Sequence, residues 1–108
     1  MDKATGRTIA IRSLLYSTVG GSAKMVFTIC IGEPYLVAEG SVDFAFAPGT
    51  ASCSISFIGL PEKAEIVYGA DGIQALELAL EAVDASLRRL RRKYEFYFPD
   101  DGEPYFED

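Results

Sequence analysis

The segment Ile73–Tyr94, IQALELALEAVDASLRRLRRKY, carries the clearest pattern in the chain. Ile73, Leu76, Leu80, Val83, Leu87, Leu90 and Tyr94 are spaced alternately by three and four residues. An α-helix turns 100° per residue, so these side chains form one apolar stripe. Asp71 stands ahead of the stripe as an N-cap, and Gln74 follows three residues later in the capping-box arrangement. The pattern predicts a helix from about Gly72 to Lys93, roughly 33 Å long at 1.5 Å per residue. Glu77, Glu81 and Asp84 lie in its first half, and Arg88, Arg89, Arg91, Arg92 and Lys93 lie at its end. That order suits the helix dipole. The five bases read as dipole compensation and as partners for the acidic C-terminus. They lack the interleaved aromatics of a nucleic-acid patch.

Upstream, the period changes from helical to alternating. Thr8 to Tyr16 reads as a strand, and Ser17–Ser22 reads as a turn in which Gly20 and Gly21 supply positive φ. Lys24 to Ile31 reads as the second strand of a hairpin, with Phe27, Ile29 and Ile31 on one face and Val26, Thr28 and Cys30 on the other. Pro34 breaks it. Val42, Phe44 and Phe46 alternate with Asp43, Ala45 and Ala47, which predicts an extended edge segment. Ala51 to Ile58 alternates most cleanly: Cys53, Ile55 and Phe57 face in, and Ser52, Ser54 and Ser56 face water. Leu60 to Gly69 crosses to the helix through a turn or brief strand, and Glu95–Phe98 returns to the sheet. Strands followed by a helix, joined by hairpin-length turns, give an α+β fold. The expectation is an antiparallel sheet of about four strands with one long helix on one face. The 108 residues suit a single domain, 1–108, with an acidic tail from about 99.

Sixteen acids against ten bases give a net charge of −6. An acidic surface disfavours nucleic acid and anionic membranes, and it favours basic partners. Histidine is absent, which removes the commonest general base, the commonest zinc ligand and every Ser-His or Cys-His pair. Cys30 and Cys53 fall on opposite faces of the expected sheet and have no CxxC partner, so free thiols are expected and zinc is not. Met1–Arg7 contains no run of signal-peptide length, and no apolar stretch approaches a membrane span. A cytoplasmic chain without cofactor or metal is expected.

Two constellations stand out as binding surfaces. The tail sets Tyr105 and Phe106 among Asp100, Asp101, Glu103, Glu107 and Asp108 with no base between them. Aromatics provide buried area and acids steer encounter, so this is a candidate docking surface for a basic protein. The spacing does not match an EF-hand loop. On the helix, Ala75, Ala79, Ala82 and Ser86, bordered by Leu78, form a second stripe roughly 120° from the first. Small residues permit close approach, which makes this the candidate face for a homodimer. A small-ligand site would instead need Glu33, Tyr35 or Asp43 gathered in a deep pocket.

Ile31-Gly32-Glu33-Pro34-Tyr35, then Cys53–Leu60, then Ile66–Leu80 together resemble a family of small bacterial domains of unknown function. That family is marked by I-G-x-P, C-x5-G-L and G-x-D-x-x-Q-A-L-x-L-A. The match covers about half the chain, and residues 36–51 depart from the compact version. The resemblance implies a hairpin-plus-helix α+β fold and brings no catalytic residues. The chain is also similar, as a class, to acidic immunity proteins that neutralise bacterial toxins. The expectation is a non-enzymatic protein-binding domain for a basic toxin or similar protein. The alternatives are a small-ligand binder and a homo-oligomeric module.

Overall fold

The computed structural model describes Arg7–Glu107; Met1–Gly6 and Asp108, including the expectations drawn from them, lie outside the described residues. The order is β1 (Thr8–Thr18), β2 (Met25–Gly32), β3 (Tyr35–Leu36), β4 (Ala51–Ile58), β5 (Glu65–Gly69), α1 (Gly72–Arg89) and β6 (Tyr94–Tyr97), with a 3-10 turn at Leu90–Arg92. The class is α+β, and every strand pairing is antiparallel. The sheet has six strands rather than about four. β5 and β6 fall where the sequence predicts a brief strand and a return to the sheet, and β3, two residues long, becomes a strand by pairing with β4.

β4 is the hub of the sheet. One of its edges carries β5; the other carries β2 opposite Ile55–Ile58 and β3 opposite Ala51–Ser52. Glu33-Pro34 interrupts that second edge, where proline has no N–H to donate. β1 pairs with β2 along most of its length, but β6 reaches only Leu15–Thr18 of β1. The expected extended segment at 42–46 is not a strand. It belongs to a loop whose Phe44 ring meets Tyr68 edge-on at 5.1 Å between centroids. This loop lies at the end of the sheet where Ser52 sits between Tyr35 and Tyr68, and Ser52 is buried, not facing water. In the β1–β2 turn only Gly20 has positive φ; Gly21 does not.

Asp71 caps α1 by accepting from the Gln74 N–H at 2.8 Å, and the Gln74 side chain accepts from Ala70 N–H at 2.6 Å. Such a cap is worth about 1 kcal/mol. The helix lies over β5 and β4 and touches β2 only lightly. The core joins Leu14, Phe27, Ile29, Cys53, Ile55 and Phe57 from the sheet to Ala75, Ala79, Val83, Leu87 and Leu90 from the helical segment.

The roll of α1 differs from the expectation. Val83, Leu87, Leu90 and Tyr94 are buried as the apolar stripe requires, but Ile73 is 73% exposed and Leu80 54% exposed. Ala75, Ala79 and Ser86 are buried against the sheet instead. The cause is a close approach. A Cβ built on Gly69 would lie 2.4 Å from the Ala75 nitrogen, so β5 and the helix entry meet through glycine and alanine. The small-residue face serves the sheet and is not open to a second copy; Ala82 is half-buried and Leu78 is exposed at the rim.

Cys30 and Cys53 are free thiols. No helix among the described residues is long and apolar enough to cross a membrane.

Candidate functional site

The tail is folded back. Phe98 N–H donates to the Glu103 carbonyl, Gly102 N–H donates to the Phe98 carbonyl, and Tyr105 N–H returns to the Phe96 carbonyl at 2.9 Å. The Tyr105 hydroxyl accepts from Arg12 at 2.7 Å and donates to Asp84 at 2.8 Å. Phe106 lies under two guanidinium groups, Arg88 at 4.6 Å and Arg91 at 4.8 Å from its centroid. Tyr105 and Phe106 are therefore half-buried anchors of the tail itself, not outward-facing anchors for a partner. Asp100, Asp101, Glu103 and Glu107 remain exposed, and the Asp101 carboxylate accepts from Glu103 N–H.

Two of the bases at the helix end, Arg89 and Lys93, pair with acids outside the tail. Arg89 reaches Glu65 at 2.9 Å and Lys93 reaches Glu62 at 3.1 Å, both across the helix–sheet seam. Ser86 Oγ donates to the same Glu65 carboxylate. Glu62 also accepts from the Tyr94 hydroxyl at 2.9 Å. Hydrogen bonds from Lys93 and then Tyr94 hold the Glu62 carboxyl below the usual glutamate range. Burial, reinforced by that carboxylate, pushes Tyr94 up to about 12. These contacts fasten α1 and β6 to the β4–β5 connection and leave no free nucleophile or base among them.

The remaining feature is a groove on the helix side of the sheet. Because α1 lies over β4 and β5, the front of β1 is uncovered: Thr8–Ser13 are all exposed although they lie in a strand. A groove of about 350 Å³ runs between this part of β1 and the bare flank of α1, lined by Ala10, Ile11, Arg12, Ile29, Ile31, Leu80 and Val83. Glu77 and Asp84 stand three residues before and four residues after Leu80, with Glu81 beside it, so the groove's helical rim is acidic. Arg12 and Asp84 are linked through Tyr105 and balance each other. Arg12 is the charged side chain in the groove's own lining, and Glu77 and Glu81 are exposed on α1 beyond Leu80.

Larger clefts, of about 530 and 540 Å³, flank the tail, but they mix charges of both signs around Phe106. Another, of about 420 Å³, lies under the 44–50 loop. Glu33, Tyr35 and Asp43 line none of these clefts, so the candidate small-ligand set does not converge there. Among the described residues, no group of acidic or thiol side chains is arranged to hold a metal ion.

The groove was missed in the sequence because it depends on the helix's sideways placement. Its signal was the pair Ile73 and Leu80, which read as core.

No family model, no curated protein and no solved structure matches the chain. The pattern at 31–35, 53–60 and 66–80 thus rests on its residues alone.

Proposed function

We propose that this chain is a non-enzymatic protein-binding domain for a basic partner, as an immunity protein facing a toxin would be. The observation that supports this reading is the apolar groove beside Leu80, with the exposed carboxylates Glu77 and Glu81 near Leu80 on the same helix. Desolvated apolar side chains supply affinity, and flanking carboxylates speed encounter with a positively charged surface. The tail acids Asp100, Asp101, Glu103 and Glu107 add to the same field without forming the contact themselves.

The test is co-expression with the product of each adjacent gene in the source genome. The expected result is a stoichiometric complex that weakens with salt and is lost in Leu80→Glu. Where the partner is toxic, protection of growth should fail in the same variant. Recovery of the chain alone with every neighbour, or a complex indifferent to Leu80→Glu, counts against the reading.

A homo-oligomeric module is the second reading, moved from the helix to the sheet. Strand register puts Ile11, Val26, Ile58 and Ile66 on the face opposite α1, and all four are exposed. Ser54, Ser56, Thr28 and Cys30 lie between them by the same register. Light scattering should then show a dimer that Ile58→Lys dissociates. A monomer at high concentration removes this reading.

A further inference from the structure

The groove is bordered on one side by a free strand edge, and we propose that its occupant is an extended basic segment that adds to β1 as a further strand. This inference rests on the protein-binding reading and concerns how the partner enters the groove.

Backbone alternation identifies the groups available. Val19 N–H donates to the Lys93 carbonyl, and Ser17 and Leu15 follow as partners of Glu95 and Tyr97. In an antiparallel ladder the N–H and C=O of every second residue point to the same neighbour. Continuing that alternation, Ile11 and Ser13 point away from β2, toward the side where β6 has already ended. Among the described residues no strand lies beside them. An exposed strand edge is a template for another chain.

The chemistry of the occupant follows from the two sides of this edge. An added strand places alternate side chains on the α1 side of the sheet, next to Ala10 and Arg12, where the apolar space beside Leu80 and Val83 opens, and an apolar residue extends that surface. Glu77 and Glu81 are exposed and have no ion pair among the described residues, so basic side chains next to the apolar one complete the match. Arg12, which also lines the groove, donates to the Tyr105 hydroxyl.

The probe is a blocked peptide about eight residues long that alternates valine with lysine, added to the isotope-labelled protein. Expected are amide shifts centred on Ile11 and Ser13 and slower hydrogen exchange at both. Binding should fall about tenfold or more when glutamate replaces lysine, when alternate peptide amides are N-methylated, or in Glu77→Lys/Glu81→Lys. Ile11→Pro removes an N–H that faces away from the native ladder, so it should keep the fold and lose the peptide. Peptide binding with unchanged Ile11 and Ser13 amides overturns strand addition while leaving the groove reading standing. Absence of binding at millimolar peptide overturns strand addition as well. Binding at those amides that ignores both Leu80→Glu and the Glu77/Glu81 reversal would instead sink the groove reading.

Discussion

Ser86 Oγ lies 2.8 and 2.9 Å from the two carboxylate oxygens of Glu65, joining the buried side of α1 to β5. Arg89, one turn along the helix, holds the same carboxylate at 2.9 Å. The pair acts with the Gly69–Ala75 approach to hold the roll of the helix: with Ser86 turned to β5, Ala75 and Ala79 also face the sheet, and Leu80 turns toward the uncovered part of β1. The groove is thus a consequence of a contact on the other flank of the same helix.

Removing the hydroxyl should loosen that roll. Ser86→Ala leaves Glu65 half-buried with one donor fewer, and hydrogen bonds to charged groups are worth about 1.5–3 kcal/mol. The urea midpoint is expected to fall accordingly with an unchanged slope. Unaltered stability would show that close packing at Gly69 and Ala75 sets the roll unaided.

The two halves of the apolar stripe should respond differently to substitution. Leu87 is fully buried, and Leu87→Ala should cost about 2–5 kcal/mol. Leu80→Gln should change stability by no more than about 0.5 kcal/mol. Equal losses in thermal or denaturant unfolding would mean that the stripe faces the core along its whole length.

The helix itself was plain in the sequence, because seven apolar residues at alternating three and four spacing leave no other element. Its roll was not, because Ala75, Ala79, Ala82 and Ser86 repeat with the same period. Only contacts with Glu65 and Gly69, remote in sequence, choose between the two stripes. The cores of β1, β2 and β4 were readable from alternation. β3 is two residues long and becomes a strand only by lying against β4. At the tail, composition revealed aromatics among acids, but whether rings turn outward or inward depends on where Arg12, Arg88 and Arg91 stand in space.

The tail should behave as part of the domain. Tyr105→Phe removes both the Arg12 and the Asp84 hydrogen bonds but keeps the ring against Phe98 and Phe106. A loss of about 1 kcal/mol is expected, with faster amide exchange at Tyr105. Truncation after Phe98 should cost more, since it also strips Phe106 from Arg88 and Arg91. A truncated chain as stable as the full one would place the tail outside the cooperative unit.

The two thiols should differ in reactivity. Cys53 is fully buried, its Sγ donates to the Gly32 carbonyl at 3.2 Å, and burial pushes its pKa up. Cys30 is only half-buried, on the face away from α1. Thiolate is the reactive form, so an alkylating agent should modify Cys30 first and Cys53 only as fast as the protein opens. Mass spectrometry of the singly labelled species checks this; early label on Cys53 would contradict the burial.

The Glu62–Tyr94 contact should narrow the pH range of stability from both ends. Glu62 has a folded pKa below its ordinary value, so its contribution is present above the unfolded pKa and is lost as pH falls through the folded one. Tyr94 is raised from 10.0 to about 12, chiefly by burial and then by its hydrogen bond to Glu62. Its contribution is therefore complete below 10.0 and disappears as pH rises toward about 12, because the unfolded chain ionises first. Tyr94→Phe should lower stability at neutral pH yet flatten its decline across that alkaline window. The same variant should lose a step at about 12 from the ultraviolet tyrosine titration. Glu62→Gln should flatten the acidic limb and bring the Tyr94 step to lower pH, since a neutral amide no longer opposes the phenolate. A Tyr94 step that stays put in Glu62→Gln would assign the whole shift to burial.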